Sequence, residues 1–325
     1  TNTLDKDSND LTILQDYYHL QYQNWGIYSQ FQSKFNENTS LTLGARLDHN
    51  TRYGTTFNPR AGIVYTLSES SKLKFLYGSA FLAPSPYRAY QHYGAFQTRD
   101  KNNKPTTVPS EIVRIQGLFW HLPNPDLKPE KLKSYEIGYS TNIQNYVIQL
   151  SAYFTEVSDL ISNAYFQNQT FKDVPIYDVE KPINKGTAES KGFSVKFDAV
   201  FQESIKINPS LVYSYIEGKI ADADLSMSAK HSIKAVLEMN YQDFTFTPKL
   251  MYRSETLRSR VENNSEKVSF SGPNSSESFV LIHLFAKYKI NSNFTAFVNC
   301  KNLLDVRYYH ASNGGSEFME QIPQD

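Results

Sequence analysis

The stretch Phe193-Ser194-Val195-Lys196-Phe197-Asp198-Ala199-Val200-Phe201 decides the fold class. Phe193, Val195, Phe197, Ala199 and Phe201 fall on one face of an extended chain, and Ser194, Lys196 and Asp198 on the other. A period of two means a β-strand with one apolar and one polar face. A helix would need apolar residues at three-and-four spacing. The alternation recurs outward from this stretch. Phe244, Phe246, Leu250 and Tyr252 oppose Thr245, Thr247, Lys249 and Arg253. Ile148, Leu150, Ala152 and Phe154 oppose Gln149, Ser151 and Thr155, while Tyr135, Ile137 and Tyr139 oppose Ser134, Glu136, Gly138 and Ser140.

The pattern predicts twelve strands, over 17–35, 40–50, 57–67, 72–83, 131–142, 146–158, 184–200, 205–218, 230–242, 244–257, 278–290 and 294–306. Tight turns such as 36–39, 68–71, 142–145 and 291–293 alternate with longer loops at 84–130, 219–229 and 259–276. Short turns at one end and long loops at the other describe an antiparallel meander whose two ends differ in task.

Composition bounds the function. The 325 residues carry 33 Lys+Arg and 33 Asp+Glu, so the basic surplus of a nucleic-acid binder is absent. One cysteine, Cys300, excludes a disulfide framework or a multi-cysteine metal centre. It shares the apolar register of Phe294, Ala296 and Val298 and reads as a small hydrophobe. Mean hydropathy is −0.51, and no apolar run is long enough for a membrane-spanning helix. Yet 23 Tyr and 21 Phe make the chain rich in aromatic residues.

Strand length identifies what faces the apolar side. Ten residues at roughly 3.3 Å, tilted by about 45°, span about 23 Å, the apolar height of an outer-membrane barrel. Strands of a soluble sandwich run to about half that number of residues. Lys, Arg, Glu and Asp stand at mid-strand on the polar face, as in a wet lumen, and Tyr and Phe gather near strand ends, as in an interfacial girdle. The expected fold is an all-β antiparallel transmembrane β-barrel. A soluble carbohydrate-binding β-domain is the rival from composition alone.

Specific motifs narrow this further. Asn58-Pro59-Arg60, then Tyr77-Gly78-Ser79-Ala80-Phe81-Leu82-Ala83-Pro84, then Asn124-Pro125-Asp126-Leu127-Lys128-Pro129-Glu130 leading to Tyr135-Glu136-Ile137-Gly138, and finally Asn302-Leu303-Leu304-Asp305-Val306-Arg307-Tyr308-Tyr309 occur in order. With Gly44-Ala45-Arg46-Leu47-Asp48 they resemble the barrel motifs of TonB-dependent outer-membrane receptors. Leu82 replaces the Arg of the family's "FRAP" box, and Asp126 replaces an Asn. Pro59, Pro84, Pro86, Pro125 and Pro129 are expected at strand ends, where a missing N–H breaks no ladder. Asn302 and Asp305 are expected in a turn.

The resemblance implies a 22-stranded barrel in the outer membrane of a Gram-negative bacterium. Residues 1–325 would supply twelve of its strands, with the plug domain outside them. It implies import of a scarce nutrient, most often a ferric siderophore, with haem, cobalamin or a passive porin as alternatives. Implied partners are outer-membrane lipid, a small metal chelate, and TonB–ExbB–ExbD acting through the plug. No enzyme is expected: the sequence lacks a nucleophile elbow, a phosphate loop and a His-Glu-x-x-His pair. His231 and Ser232, adjacent on a strand, point to opposite faces and cannot cooperate.

The loop between residues 84 and 130 is long enough to be functional. Its Tyr87, Tyr90, His92, Tyr93, Phe96, Arg99, Arg114, Trp120 and His121 suit an anionic, ring-bearing ligand through stacking and charge-assisted hydrogen bonds. His92 and His121 are candidate haem-iron ligands, since haem receptors similar to this family place a histidine between the same two boxes; His121 beside Leu122-Pro123 reads equally as packing at the loop base. Asp5, Asp7, Asn9 and Asp16 occupy calcium-loop positions one, three, five and twelve, although Asp10 stands where the loop needs glycine. Asp222 and Asp224 invite a similar reading. No cofactor is required, and iron enters only with the substrate. Arg46, Asp48, Glu136, Lys196, Asp198, Lys249 and Arg253 are expected to face the lumen and pair with each other or with the plug.

Overall fold

The computed structural model describes residues 3–6, 11–16, 21–90, 92–106, 108–171, 174–221, 223–226, 228–257, 275–310 and 320–321. Twelve strands form one antiparallel meander. They are β1 (Asn24–Asn36), β2 (Thr39–Asn50), β3 (Gly54–Ser68), β4 (Ser71–Leu82), β5 (Glu130–Ile143), β6 (Tyr146–Ser158), β7 (Ala188–Ala199), β8 (Lys206–Ile220), β9 (His231–Tyr241), β10 (Phe244–Arg253), β11 (Phe279–Lys289) and β12 (Thr295–Cys300). Each pairs with its neighbours in sequence, and two short pieces, Phe201–Gln202 and Ala223–Asp224, add to β8.

Cross-strand register turns the alternation into rows. Ile137 sits opposite Ala152, Ala152 opposite Phe193, and Phe193 opposite Tyr215, so one sheet face is apolar across β5–β8. That face has no second layer over it: Ile137 is 43 % exposed, Leu150 41 %, Phe193 42 % and Leu211 44 %. The apolar rows therefore do not form the dry centre of a sandwich. On the other face the polar groups satisfy each other. The Arg46 guanidinium grips Asp48 at 2.7–2.9 Å, Lys74 reaches Glu136 at 3.2 Å, and Lys196 reaches Asp198 at 2.8 Å while the Ser210 hydroxyl donates to Asp198 at 2.7 Å. Arg60 on the same face donates to Gln30. Lys249 and Arg253 share this face and have no carboxylate within salt-bridge distance among the described residues.

Several boundaries differ from the sequence reading. The first strand begins at Asn24, with residues 21–23 irregular; 17–20 lie outside the described residues. The strand expected over 184–200 starts at Ala188, because Asn184 ends a different strand. That expected over 244–257 stops at Arg253; Thr256–Leu257 pairs instead with Ser275–Ser276. The last stops at Cys300, because Asn302 and Asp305 turn the chain with φ of 48° and 50°. Pro59 lies inside β3 rather than at its end. It is tolerated because the β3–β4 ladder begins only at Arg60, opposite Gly78.

The main departure is a second sheet of six strands built from loop segments, at the end where the long connections lie. Its order is Thr3–Lys6, Leu11–Asp16, His92–Arg99, Arg114–His121, Val174–Asn184 and Ile161–Phe171. The pairing of Arg114–His121 with Val174–Asn184 is parallel, and it joins the loop after β4 to the loop after β6.

Candidate functional site

The loop sheet is stapled to the rim of the large sheet by residues of the Asn124–Glu130 motif. The Asn124 side-chain amide donates to the Pro182 carbonyl at 2.9 Å, and its oxygen accepts from the Asp126 N–H at 3.2 Å. Glu130 accepts from the Ile161 N–H at 2.9 Å. The Lys128 N–H donates to Asn184, whose amide donates back to the Lys128 and Asp159 carbonyls at 2.8 and 2.7 Å. A short helix, α1 (Pro86–Tyr90), lies in the same corner. Its Ala89 packs with Leu127 and Ile161, with Tyr90 beside them, and the Arg52 guanidinium sits 5.5 Å above the Tyr90 ring. The motif is an anchor: four hydrogen bonds tie it to the base of the loop sheet.

Above the anchor, Tyr87, Tyr93 and His121 come together, and Glu180 completes them. Tyr93 stacks on His121 at 4.6 Å, and Tyr87 approaches both rings at 5.4–5.6 Å. Glu180 bonds His121 Nδ1 at 2.6 Å and accepts from the Tyr93 hydroxyl at 3.1 Å and from Asn163 at 2.9 Å. Burial, then the hydrogen bond with Tyr87 and the nearby Glu180 charge, push the Tyr93 hydroxyl pKa up. His121 is 2 % exposed. Its ring is spent on this network, with Nε2 buried and unbonded among the described residues. At 2 % exposure the ring is packed at the loop base, with neither nitrogen at the surface.

The remaining loop residues have separate fates. Trp120 is 1 % exposed and packs with Ile176 and Val179, so it is core and offers no stacking surface. It fits because Gly94 lies opposite: a Cβ there would meet the Trp120 ring at 2.2 Å. Arg99 spends its guanidinium on Gln116, Asn103 and Gln97 at 2.5–2.7 Å. His92, Phe96 and Arg114 sit on paired strands, His92 opposite Asp16, and their side chains lie outside the described residues. Glu180 and Asn163 were missed by sequence reasoning, since neither lies in a motif and both stand far along the chain from the rings they join.

Of the acidic residues near the start, Asp5 and Asp16 lie on two paired strands, Thr3–Lys6 and Leu11–Asp16. Asp5 pairs with Ile13, so Asp16 lies three rungs away, about 10 Å along the strand at ~3.3 Å per residue. Asp7, Asn9 and Asp222 lie outside the described residues, and Asp224 pairs in β form with Lys219. Among the described residues no group of three or more His, Cys, Asp or Glu could hold a metal.

Comparison with known proteins places this architecture. Residues 1–303 match the family model described as TonB dependent receptor-like, beta-barrel. The chain is 25 % identical over 319 residues to an iron-regulated outer membrane virulence protein of Vibrio cholerae, covering 95 % of this chain and 44 % of that protein. It is 22 % identical to a probable TonB-dependent siderophore receptor of Acinetobacter baumannii, PirA, covering 89 % and 40 %. The crystal structure of that receptor superposes with a TM-score of 0.66 at 15 % identity, covering 95 % and 44 %. The ferric enterobactin receptor of Pseudomonas aeruginosa, solved with BCV-L6, superposes with 0.69 at 14 % identity, covering 96 % and 44 %. The chain thus spans less than half the length of the relatives it matches. With its exposed apolar rows, its water-facing charges and its loop sheet at one rim, it belongs to the TonB-dependent receptors of the outer membrane, as part of their antiparallel β-barrel.

Proposed function

We propose that the receptor built on these strands imports an iron chelate, a ferric siderophore, across the outer membrane by TonB-dependent transport. Further strands would close the wall at the free edges of β1 and β12, since an open sheet edge in lipid leaves backbone groups unbonded. A plug would fill the charged lumen and pass the pull of TonB–ExbB–ExbD to the bound chelate. The observation that carries this reading is the anchored loop sheet over a wall with a polar inner face. A passive pore has no need of a rigid external platform stapled by Asn124, Lys128, Glu130 and Asn184. The relatives named for iron regulation and siderophores support the substrate class.

The test is uptake of radioactive iron by the full-length receptor in a host lacking its own siderophore receptors. A panel of catecholate, hydroxamate and carboxylate ferric chelates should reveal at least one that accumulates only when TonB is present. Accumulation of none, or uptake indifferent to TonB, would remove the proposal.

A further inference from the structure

Three oxygen ligands meet on one face of the loop sheet. Tyr93, His121 and Glu180 form a row across three neighbouring strands, Tyr93 opposite His121 and His121 beside Glu180. Tyr87 reaches this row from α1 and shares a hydrogen bond with the Tyr93 hydroxyl. The Tyr93 hydroxyl in turn donates to Glu180 Oε1 at 3.1 Å. Two phenol oxygens and a carboxylate oxygen thus stand in a chain linked by protons.

The spacing suits a metal ion in place of those protons. In an octahedral shell with bonds of about 2.0–2.1 Å, adjacent ligands lie about 2.9 Å apart. The separation of Tyr93 from Glu180 is close to that, so small movements convert one arrangement into the other. The carboxylate is already held. His121 Nδ1 donates to Oε1 at 2.6 Å and Asn163 Nδ2 to Oε2 at 2.9 Å, the kind of outer support that orients a ligand. His121 is therefore support rather than ligand, since Nδ1 carries the proton that Glu180 accepts. Glu180 is 8 % exposed but Tyr87 is 46 % exposed, so the set opens to solvent along Tyr87.

The donor set selects the ion. Two phenolates and one carboxylate carry three negative charges and offer only oxygen, which suits hard, trivalent iron; tyrosine oxygen also holds iron in haem proteins. These oxygens leave part of the shell to another donor. A chelate that fills every position of the iron gives them no place, whereas one with three or four donor atoms leaves open positions for them. We infer that Tyr87, Tyr93 and Glu180 bind ferric iron directly and complete the shell of a chelate that supplies only part of it. Each phenol oxygen replaces a water on the iron and releases its proton to solvent, and the iron stays ferric throughout. The inference rests on the ferric-chelate reading above and narrows it to chelates that leave iron incompletely wrapped.

The experiment titrates the full-length receptor, purified in mild detergent, with ferric nitrilotriacetate, whose four donor atoms leave two positions to water. Wild type should develop the visible phenolate-to-iron charge-transfer band, saturating at one iron per receptor. Tyr87→Phe and Tyr93→Phe should each weaken the band and lower affinity about tenfold or more, since loss of a supporting group alone costs that much. The double variant should show no band. Heat-dependent gel migration reports folding; if Tyr93→Phe disturbs the loop sheet, Tyr87→Phe at the exposed end decides alone. No band in wild type, or a band unchanged in Tyr87→Phe, would overturn the inference. So would displacement of the iron by equimolar zinc, which would mark a site without preference for a hard trivalent ion. Binding is read without transport, so the two proposals fail separately. TonB-dependent uptake by a receptor that gives no band would end this inference and leave the transport reading standing; a band without uptake would do the reverse.

Discussion

Glu180 is the residue on which the loop sheet turns. It accepts from three side chains on three different strands, and two of them, His121 and Tyr93, are ring-stacked beneath Tyr87. Glu180→Ala should strand the buried His121 and Tyr93 donors and cost the loop sheet about 3 kcal/mol, at roughly 1–3 kcal/mol per orphaned group. Hydrogen exchange should rise across His92–Arg99, Arg114–His121 and Val174–Asn184 while the barrel strands stay protected. Tyr93 adds a pH dependence whose sign follows from its environment. Its folded-state pKa is raised, chiefly by burial, so neutral Tyr93 is favoured in the fold. The stability it lends is complete below the unfolded value of about 10 and is lost as pH rises beyond it. Loop-sheet exchange should thus accelerate above about pH 10 in wild type, and Tyr93→Phe should flatten that rise. Of this cluster the sequence displays Tyr87, Tyr93 and His121, because they sit between recognisable boxes. It hides Glu180, whose partner His121 is 59 positions away and whose surroundings carry no regular period.

At the level of the strand, a period of two was enough to place all twelve barrel strands, because each strand meets only its sequence neighbours and one face alternates throughout. The loop sheet was not legible for the opposite reason. Its strands pair across long separations, one of them in parallel, and its buried positions such as Gln116, Trp120, His121 and Val179 do not alternate by polarity. The two faces of a barrel strand should respond differently to the same change. Leu150→Arg, on the exposed apolar row, should cost about 2–4 kcal/mol in refolding into lipid. Ser151→Arg, one residue on and facing the lumen opposite Gly138, should cost less than about 1 kcal/mol because water solvates it. Equal costs at the two positions would mean that the faces share one environment.

For the whole molecule, the wall, the anchor and the platform form one argument about what lies on each side. Apolar rows without a covering layer need lipid, and charges in pairs such as Arg46–Asp48 and Lys196–Asp198 need water. The loops that gather into a sheet sit at one rim only, so the two ends of the barrel have different partners. The motif residues support this division: Asn124, Glu130 and Asn302 bond backbone groups where strands enter or leave the rim. The most direct test labels each position from 193 to 198 in turn with a nitroxide in the full-length receptor in membranes, with Cys300 replaced by serine. Positions 193, 195 and 197 should be relaxed by dissolved oxygen, and 194, 196 and 198 by a water-soluble nickel chelate. Uniform exposure to either reagent, or odd positions closed to both, would contradict the account.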